Sequence, residues 1–80
     1  MKDLLTVIVK NIVKHPDDVS IKDTVGQEGE IDLELRVSPE DMGLVIGKGG
    51  KVIKSIRNLL RTKAILENKR VNLLLAEDKE

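Results

Sequence analysis

The fold of this chain is decided by residues 45–53, which read VIGKGGKVI. Two apolar pairs flank a glycine turn of four residues. Gly47 can end one helix, because glycine adopts a left-handed backbone without a Cβ clash, and Gly50 can begin the next. A turn with so little side-chain bulk lets backbone N–H groups approach an anion, and the N-terminus of the second helix adds positive partial charge. The stretch therefore predicts two helices joined by a turn that can hold a phosphate.

Other glycine-rich phosphate motifs fit this stretch less well. A P-loop needs four residues between its first glycine and the Gly-Lys pair, whereas Gly43 and Gly47 enclose three. A dinucleotide fingerprint beginning at Gly47 would require a third glycine where Val52 stands. A helix corner with no ligand stays open on the glycine spacing alone.

The residues around the turn predict an α-β-β-α-α-β order. Apolar residues from Leu4 to Val13 indicate a first helix, which we expect to run from an Asp3 cap to about His15, before Pro16. Alternation of Val19, Ile21 and Val25 with polar residues, and unbroken alternation over residues 31–37, predict two strands joined by a hairpin at residues 26–29. Residues 38–41, SPED, predict the start of a short helix that ends at Gly47. A long helix to about residue 66 and a last strand at 71–75 complete the order.

Charge is unevenly distributed along the chain, although the formal net charge is zero. Residues 47–66 carry six basic residues and no acid, whereas residues 15–42 carry nine acids against two basic residues. On a helical wheel, Lys51, Lys54, Arg57 and Arg61 fall in one arc that begins beside the glycine turn. A solvated helix face usually mixes both signs, so this arrangement favours a surface that faces phosphates.

Composition limits the class of protein. The chain has 80 residues, of which 28 are Ile, Leu or Val, so we expect a single domain over residues 1–80 with an acidic tail at 77–80 that frays. It has no Cys and one His, which excludes disulfides and thiolate metal sites; no cofactor or metal is expected.

No signal peptide or membrane span is indicated, so we expect a cytoplasmic protein. The acids and the single His form no catalytic arrangement, so we expect no enzyme.

The glycine turn and the order of elements together resemble the type II, prokaryotic KH domain, a module that binds single-stranded RNA or DNA through a GXXG loop. The resemblance covers nearly all of the chain. The length and the junction at residues 15–18, HPDD, are similar to those of the KhpA family of small bacterial RNA-binding proteins. The resemblance implies an α+β fold with a three-stranded sheet and the helices packed on one face. The complete absence of aromatic residues disfavours RNA modules that stack bases on rings.

The resemblance also implies which residues bind RNA. The glycine turn would hold the backbone of about four unpaired nucleotides, while charged residues of the next helix add contacts to phosphates. Apolar residues beside the turn would line the groove for the bases, although core packing is an equally good interpretation for Ile53. The expected RNA-binding residues are Gly47, Lys48, Gly49, Gly50, Lys51, Lys54, Val45, Ile46, Ile53 and Arg57.

Surplus aliphatic surface predicts self-association. The apolar arc of the long helix is wide, and Val52, Leu59 and Leu66 on one side of it either meet the first helix or stay uncovered. The KhpA-like resemblance implies a homodimer, a larger KH-containing partner protein, and a role as RNA chaperone or post-transcriptional regulator connected with cell shape. A second interpretation stays open, namely a dimerisation adaptor whose KH fold mainly binds a partner protein. The two glycines and Lys48 favour RNA binding.

Overall fold

Three helices and a three-stranded sheet form the fold in a computed structural model, which describes residues 1–76. The predicted fraying of residues 77–80 lies outside the described residues. The elements in chain order are α1 (Lys2–Lys10), β1 (Ser20–Val25), β2 (Ile31–Arg36), α2 (Met42–Ile46), α3 (Lys51–Leu66) and β3 (Val71–Leu75). This order confirms the predicted α+β fold and the α-β-β-α-α-β arrangement.

The sheet has the order β1-β2-β3, with β2 in the centre. β1 and β2 are antiparallel neighbours joined by a hairpin, in which Gly29 has a positive φ of 84°. β2 and β3 are parallel, with Ile31 opposite Val71. A parallel pair requires a crossover, and here the crossover contains α2, the glycine turn and α3. The sheet topology therefore places the glycine turn between two helices on one side of the sheet.

The alternation of β2 has the predicted effect. Leu33 and Leu35 are buried beneath the helices, whereas Asp32 and Glu34 lie on the opposite face. The alternation of β1 is weaker, because Val25 is largely exposed although it pairs with Ile31. β1 is an edge strand, so residues at its end have neighbours on one side only.

The first helix differs from its prediction. It begins at Lys2, with Asp3 inside its first turn, and it ends at Lys10 rather than near His15, so the predicted cap and end are wrong. Asn11 follows the helix, and its Nδ2 donates to the Val7 carbonyl oxygen over 2.7 Å. The chain then bends, because the amide of His15 donates 2.9 Å to a side chain far along the sequence, that of Asp41, instead of continuing the helix.

His15 consequently does not lie at the end of a helix, where a cation would be favourable. Its Nε2 lies 3.5 Å from Oε1 of Glu40, in the segment that leads into α2.

The core lies between the helices and one face of the sheet. In α3 the buried residues recur at intervals of three and four, as expected for one face of a helix. The fully or almost fully buried apolar side chains are Leu5, Val9, Leu33, Leu35, Val37, Val45, Ile53, Ile56, Leu60 and Ala64. The opposite sheet face is mostly polar and carries a shallow depression of about 340 Å³. Within the described residues, no helix is long and apolar enough to cross a membrane.

Candidate nucleic-acid interface

The segment before the glycine turn is fixed by capping at Ser38 and by the buried carboxylate of Asp41, which accepts hydrogen bonds from the amides of Lys14 and His15. Ser38 Oγ accepts a hydrogen bond of 3.4 Å from the Glu40 amide, and Pro39–Asp41 forms a 3-10 turn. The capping sequence was expected to open an α-helix directly; the α-helical turns begin instead at Met42, immediately after the 3-10 turn. α2 is short because Gly47 ends it with φ 75° and ψ 170°.

The glycine loop, residues 47–50, connects α2 to α3. Gly47, Gly49 and Gly50 all have positive φ, at 75°, 64° and 77°. A Cβ atom on Gly47 would lie 2.8 Å from the Val52 Cβ and 2.9 Å from the Val52 amide nitrogen. A Cβ atom on Gly49 or Gly50 would meet nothing within 4 Å. Gly47 therefore allows the loop to pack against the first turn of α3, whereas Gly49 and Gly50 keep its outer side open.

Two backbone amides of the glycine loop have no acceptor among residues 1–76. The Gly50 amide donates to the Gly47 carbonyl over 3.1 Å, and the Lys51 amide donates to the Lys48 carbonyl. Among the described residues, the amides of Lys48 and Gly49 donate to no protein group. Both residues are exposed, and they precede the positive end of the 16-residue helix α3. The loop thus presents hydrogen-bond donors and positive potential at one point of the surface.

Cations extend from the glycine loop along one flank of α3; we call Lys51, Lys54, Arg57 and Arg61 the basic track. Lys51, Lys54 and Arg61 are exposed. Arg57 is partly buried, and its Nε donates to the Leu73 carbonyl oxygen in β3 over 3.4 Å. Arg57 therefore lies across the groove between α3 and β3, with the rest of its guanidinium available for other acceptors.

The apolar residues named from the sequence divide between the core and the surface. Val45 is fully buried, and Ile53 is also buried in the core cluster. Ile46 is partly exposed beside the glycine loop. In this structure Val45 and Ile53 are therefore core residues, and Ile46 is the apolar side chain of the three with the most accessible surface.

The β3 side of this region was not evident from the sequence. A cavity of about 140 Å³ lies between α3 and β3, and its wall includes Arg61, Asn72 and Leu73. The alternation of β3 predicts on which face of the sheet each of its side chains lies, but it does not predict which edge of the strand adjoins α3. Only the parallel pairing of β2 with β3 places this edge beside the basic track.

Lys63, also in the basic stretch of the sequence, is engaged differently. Its Nζ lies 3.0 Å from Oε2 of Glu67. The pKa of Glu67 is lowered by this hydrogen bond and by the positive charges of Lys63 and Lys69. Lys63 thus has a carboxylate partner on its own helix and does not belong to the basic track.

A glycine loop between the two helices of a β-α-α-β crossover is the arrangement of a type II KH domain. A family model described as KhpA/KhpB, KH domain, matches residues 2–75. The chain is 51% identical over 71 residues to the RNA-binding protein KhpA of Clostridium perfringens, which covers 89% of this chain and 93% of that protein. It is 46% identical over 79 residues to the RNA-binding protein KhpA of Chlamydia caviae, covering 99% and 100% of the two chains. The chain therefore belongs to the KhpA/KhpB family of KH domains.

A solved structure has the same fold at low sequence identity. The crystal structure of a point variant of Aquifex aeolicus Era bound to GDP·AlF4⁻ matches with a TM-score of 0.63 and 19% identity. The match covers 91% of this chain and 28% of the Era chain.

Proposed function

We propose that this protein is a single-domain RNA-binding protein of the cytoplasm, which binds single-stranded RNA without catalysing a reaction. The observation that carries this proposal is the pair of unpaired amides at Lys48 and Gly49, beside the exposed cations Lys51 and Lys54. The phosphate oxygens of a flexible nucleic-acid backbone can accept hydrogen bonds from such donors. The name shared by the relatives, RNA-binding protein KhpA, supports RNA as the nucleic acid. The protein would then act on the bound RNA as an RNA chaperone or as a post-transcriptional regulator.

Each residue of the interface has a distinct proposed role. The glycine loop donates its free amides to the sugar-phosphate backbone, and Lys48, Lys51 and Lys54 contact phosphates. Ile46 and the Arg57 guanidinium border the groove in which bases lie. Val45 and Ile53 hold the loop in place from the core. Because no aromatic residue is present to stack on bases, charge supplies a large share of the affinity.

The test is fluorescence anisotropy with a labelled, unstructured RNA and the double variant Lys48→Asp, Gly49→Asp. We expect the variant to lose at least about tenfold in affinity, because two acids replace a cation and open space at a phosphate site. The matched control is Lys22→Asp, Gln27→Asp, which changes the net charge equally at exposed positions of β1 and the hairpin. Circular dichroism establishes that all three proteins are folded. Equal binding by the wild type and the loop variant would overturn the proposal.

Salt dependence is the second arm of the same test. Three phosphate contacts give a slope of about −2 in log K against log salt, so affinity falls about 20-fold between roughly 50 and 200 mM salt. A wild-type affinity that is independent of salt would contradict the phosphate-contact proposal even if RNA is bound.

We also propose that two copies of this protein associate through α3. Val52, Leu59 and Leu66 recur every seven residues and form a row along the helix; Leu59 is 55% exposed and Leu66 is 80% exposed. At about 100° per residue, this row lies roughly 150° around α3 from the centre of the basic track. A row of this kind can pair with itself across a two-fold axis. The basic tracks of both copies would stay accessible.

Sedimentation velocity at micromolar concentration tests the dimer. We expect the wild type to sediment as a dimer and Leu59→Glu as a monomer, because the carboxylate would have to be buried in the apolar contact. Leu74→Glu is the matched control, since Leu74 is 61% exposed on the opposite face of the sheet, and it should stay dimeric. A wild-type monomer would contradict the dimer without affecting RNA binding.

A further inference from the structure

A second group of cations lies at the end of α3 that is distant from the glycine loop. A cavity of about 320 Å³ lies where α3 meets β3, and its wall includes Arg61, Ile65, Lys69 and Arg70. We call these four residues the distal rim. Ile65 is largely exposed there, so an apolar side chain lies among three cations.

The cations of the distal rim have no close carboxylate partner. Among residues 1–76, no carboxylate lies within 4.0 Å of Arg61, Lys69 or Arg70. The nearby carboxylate of Glu67 is held by Lys63 at 3.0 Å. Three exposed cations with no carboxylate within 4.0 Å among the described residues repel one another, so an anionic ligand would relieve this repulsion.

The backbone of the distal rim is held in place. Asn68 ends α3 in a left-handed conformation with φ 57°, and the Lys69 amide donates to the Ala64 carbonyl oxygen over 2.7 Å. The Arg70 carbonyl accepts from the Ile31 amide of β2 over 2.8 Å. Lys69 and Arg70 are therefore carried by a turn that is fixed to both the helix and the sheet.

The distal rim continues the basic track. Arg61 belongs to both groups, and the 140 Å³ and 320 Å³ cavities share Arg61, Val71 and Asn72. A helix of 16 residues is about 24 Å long. If the single strand keeps the rise of about 3.4 Å per nucleotide that a strand has in a duplex, four nucleotides cover about 14 Å, and seven to eight are needed to cover the helix.

Acidic residues mark the end of this path. Beyond Lys69 and Arg70, a cavity of about 390 Å³ is lined on its other side by Glu28 and Glu30 of the β1–β2 hairpin. These carboxylates repel a phosphate chain, so a strand that follows the cations stops or turns away at the hairpin. The path therefore has one end at the glycine loop and the other at the distal rim.

We propose that the distal rim binds the phosphates of an RNA strand that continues from the glycine loop along α3, with a footprint of about eight nucleotides. This proposal rests on the proposed RNA binding by the glycine loop. Arg61, Lys69 and Arg70 contact the backbone, and the exposed Ile65 side chain packs against a base or sugar. RNA of this length gains affinity that a four-nucleotide RNA cannot gain.

The experiment measures anisotropy with labelled oligouridines of four, six, eight and ten nucleotides. The test variant is Lys69→Gln, Arg70→Gln, and the control is Lys10→Gln, Lys22→Gln, which removes the same charge at other exposed positions. For the wild type and the control, we expect affinity to rise at least tenfold from four to eight nucleotides and little beyond. The test variant should bind the four-nucleotide RNA as the wild type does, lose most of the rise, and show a salt slope smaller by about 1.4 on the eight-nucleotide RNA.

Two results would overturn the distal-rim proposal while leaving the glycine loop intact. One is an affinity that does not rise with length; the other is an equal rise in the wild type and the test variant. A loss shared equally by the control would also overturn it, because only total charge would matter. Failure of RNA binding at the glycine loop itself is distinguishable, because the Lys48→Asp, Gly49→Asp variant would then bind every length as the wild type does.

Discussion

Replacing Gly47 with alanine should destabilise the fold by about 3–5 kcal/mol, the largest effect expected of any single methyl group added to this chain. The φ and ψ angles of Gly47, 75° and 170°, lie in a region that is essentially restricted to glycine, at a cost of about 1–3 kcal/mol for other residues. The added Cβ would also lie within 3 Å of Val52 backbone and side-chain atoms, and such overpacking costs about 1–3 kcal/mol more. A core of this size seldom provides more than about 3–5 kcal/mol, so the variant should be largely unfolded.

Thermal denaturation followed by circular dichroism measures this effect. We expect the Tm of Gly47→Ala to fall by at least about 12 °C, or the transition to disappear. Two alanine variants serve as controls. Gly49 has a positive φ, but a Cβ atom there would meet nothing within 4 Å, so Gly49→Ala should lower the free energy of unfolding by about 1–2 kcal/mol. Gly43→Ala, in α2 and with nothing within 4 Å, should be neutral or slightly stabilising. Similar Tm values for the Gly47 and Gly49 variants would show that the contact with Val52 is not the determining factor.

Asp41→Ala should destabilise the protein by about 3 kcal/mol. The Asp41 side chain is fully buried, and its two oxygens accept hydrogen bonds from the amides of Lys14 and His15 at 3.1 and 2.9 Å. Hydrogen bonds to a charged group contribute about 1.5–3 kcal/mol each, and removing the carboxylate leaves two backbone donors without their acceptor. Water that enters the vacated space offsets part of this loss.

Urea denaturation of Asp41→Ala compares this effect with that of an exposed acid. Asp23→Ala is the control, because Asp23 lies exposed on the edge strand and should change the free energy of unfolding by less than about 0.5 kcal/mol. Equal free energies of unfolding for the two variants would show that the Asp41 carboxylate does not hold the segment after α1 to the start of α2. RNA affinity should fall only in proportion to the unfolded fraction, since Asp41 does not lie on the proposed RNA surface.

Local patterns in the sequence predicted most of the fold. The alternation of β2 gave its buried face, and Ser38 with Gly47 gave the two ends of the segment that contains α2. These predictions depend on neighbours within a few residues, where the physics of capping and alternation acts.

Interactions between distant residues account for the wrong prediction of where α1 ends. The end of α1 depends on Asp41, which accepts hydrogen bonds from Lys14 and His15 across 27 and 26 residues of sequence. For the candidate site, the glycine loop and the basic arc were evident from spacing alone. The link between Arg57 and Leu73 was not, because the helical wheel gives the direction of a side chain but not what lies opposite it.

The parallel pairing of β2 with β3 makes the glycine loop part of the segment that closes the sheet. Ile31 and Val71 pair only when the whole crossover, including the loop, is in place. An RNA held at the loop would therefore resist the opening of strands that it does not touch. At a free RNA concentration of about 100 times Kd, the opening free energy would rise by about 2.7 kcal/mol. Amide hydrogen exchange at β2 and β3 would then slow about 100-fold, so that exchange in the sheet reports occupancy of the loop.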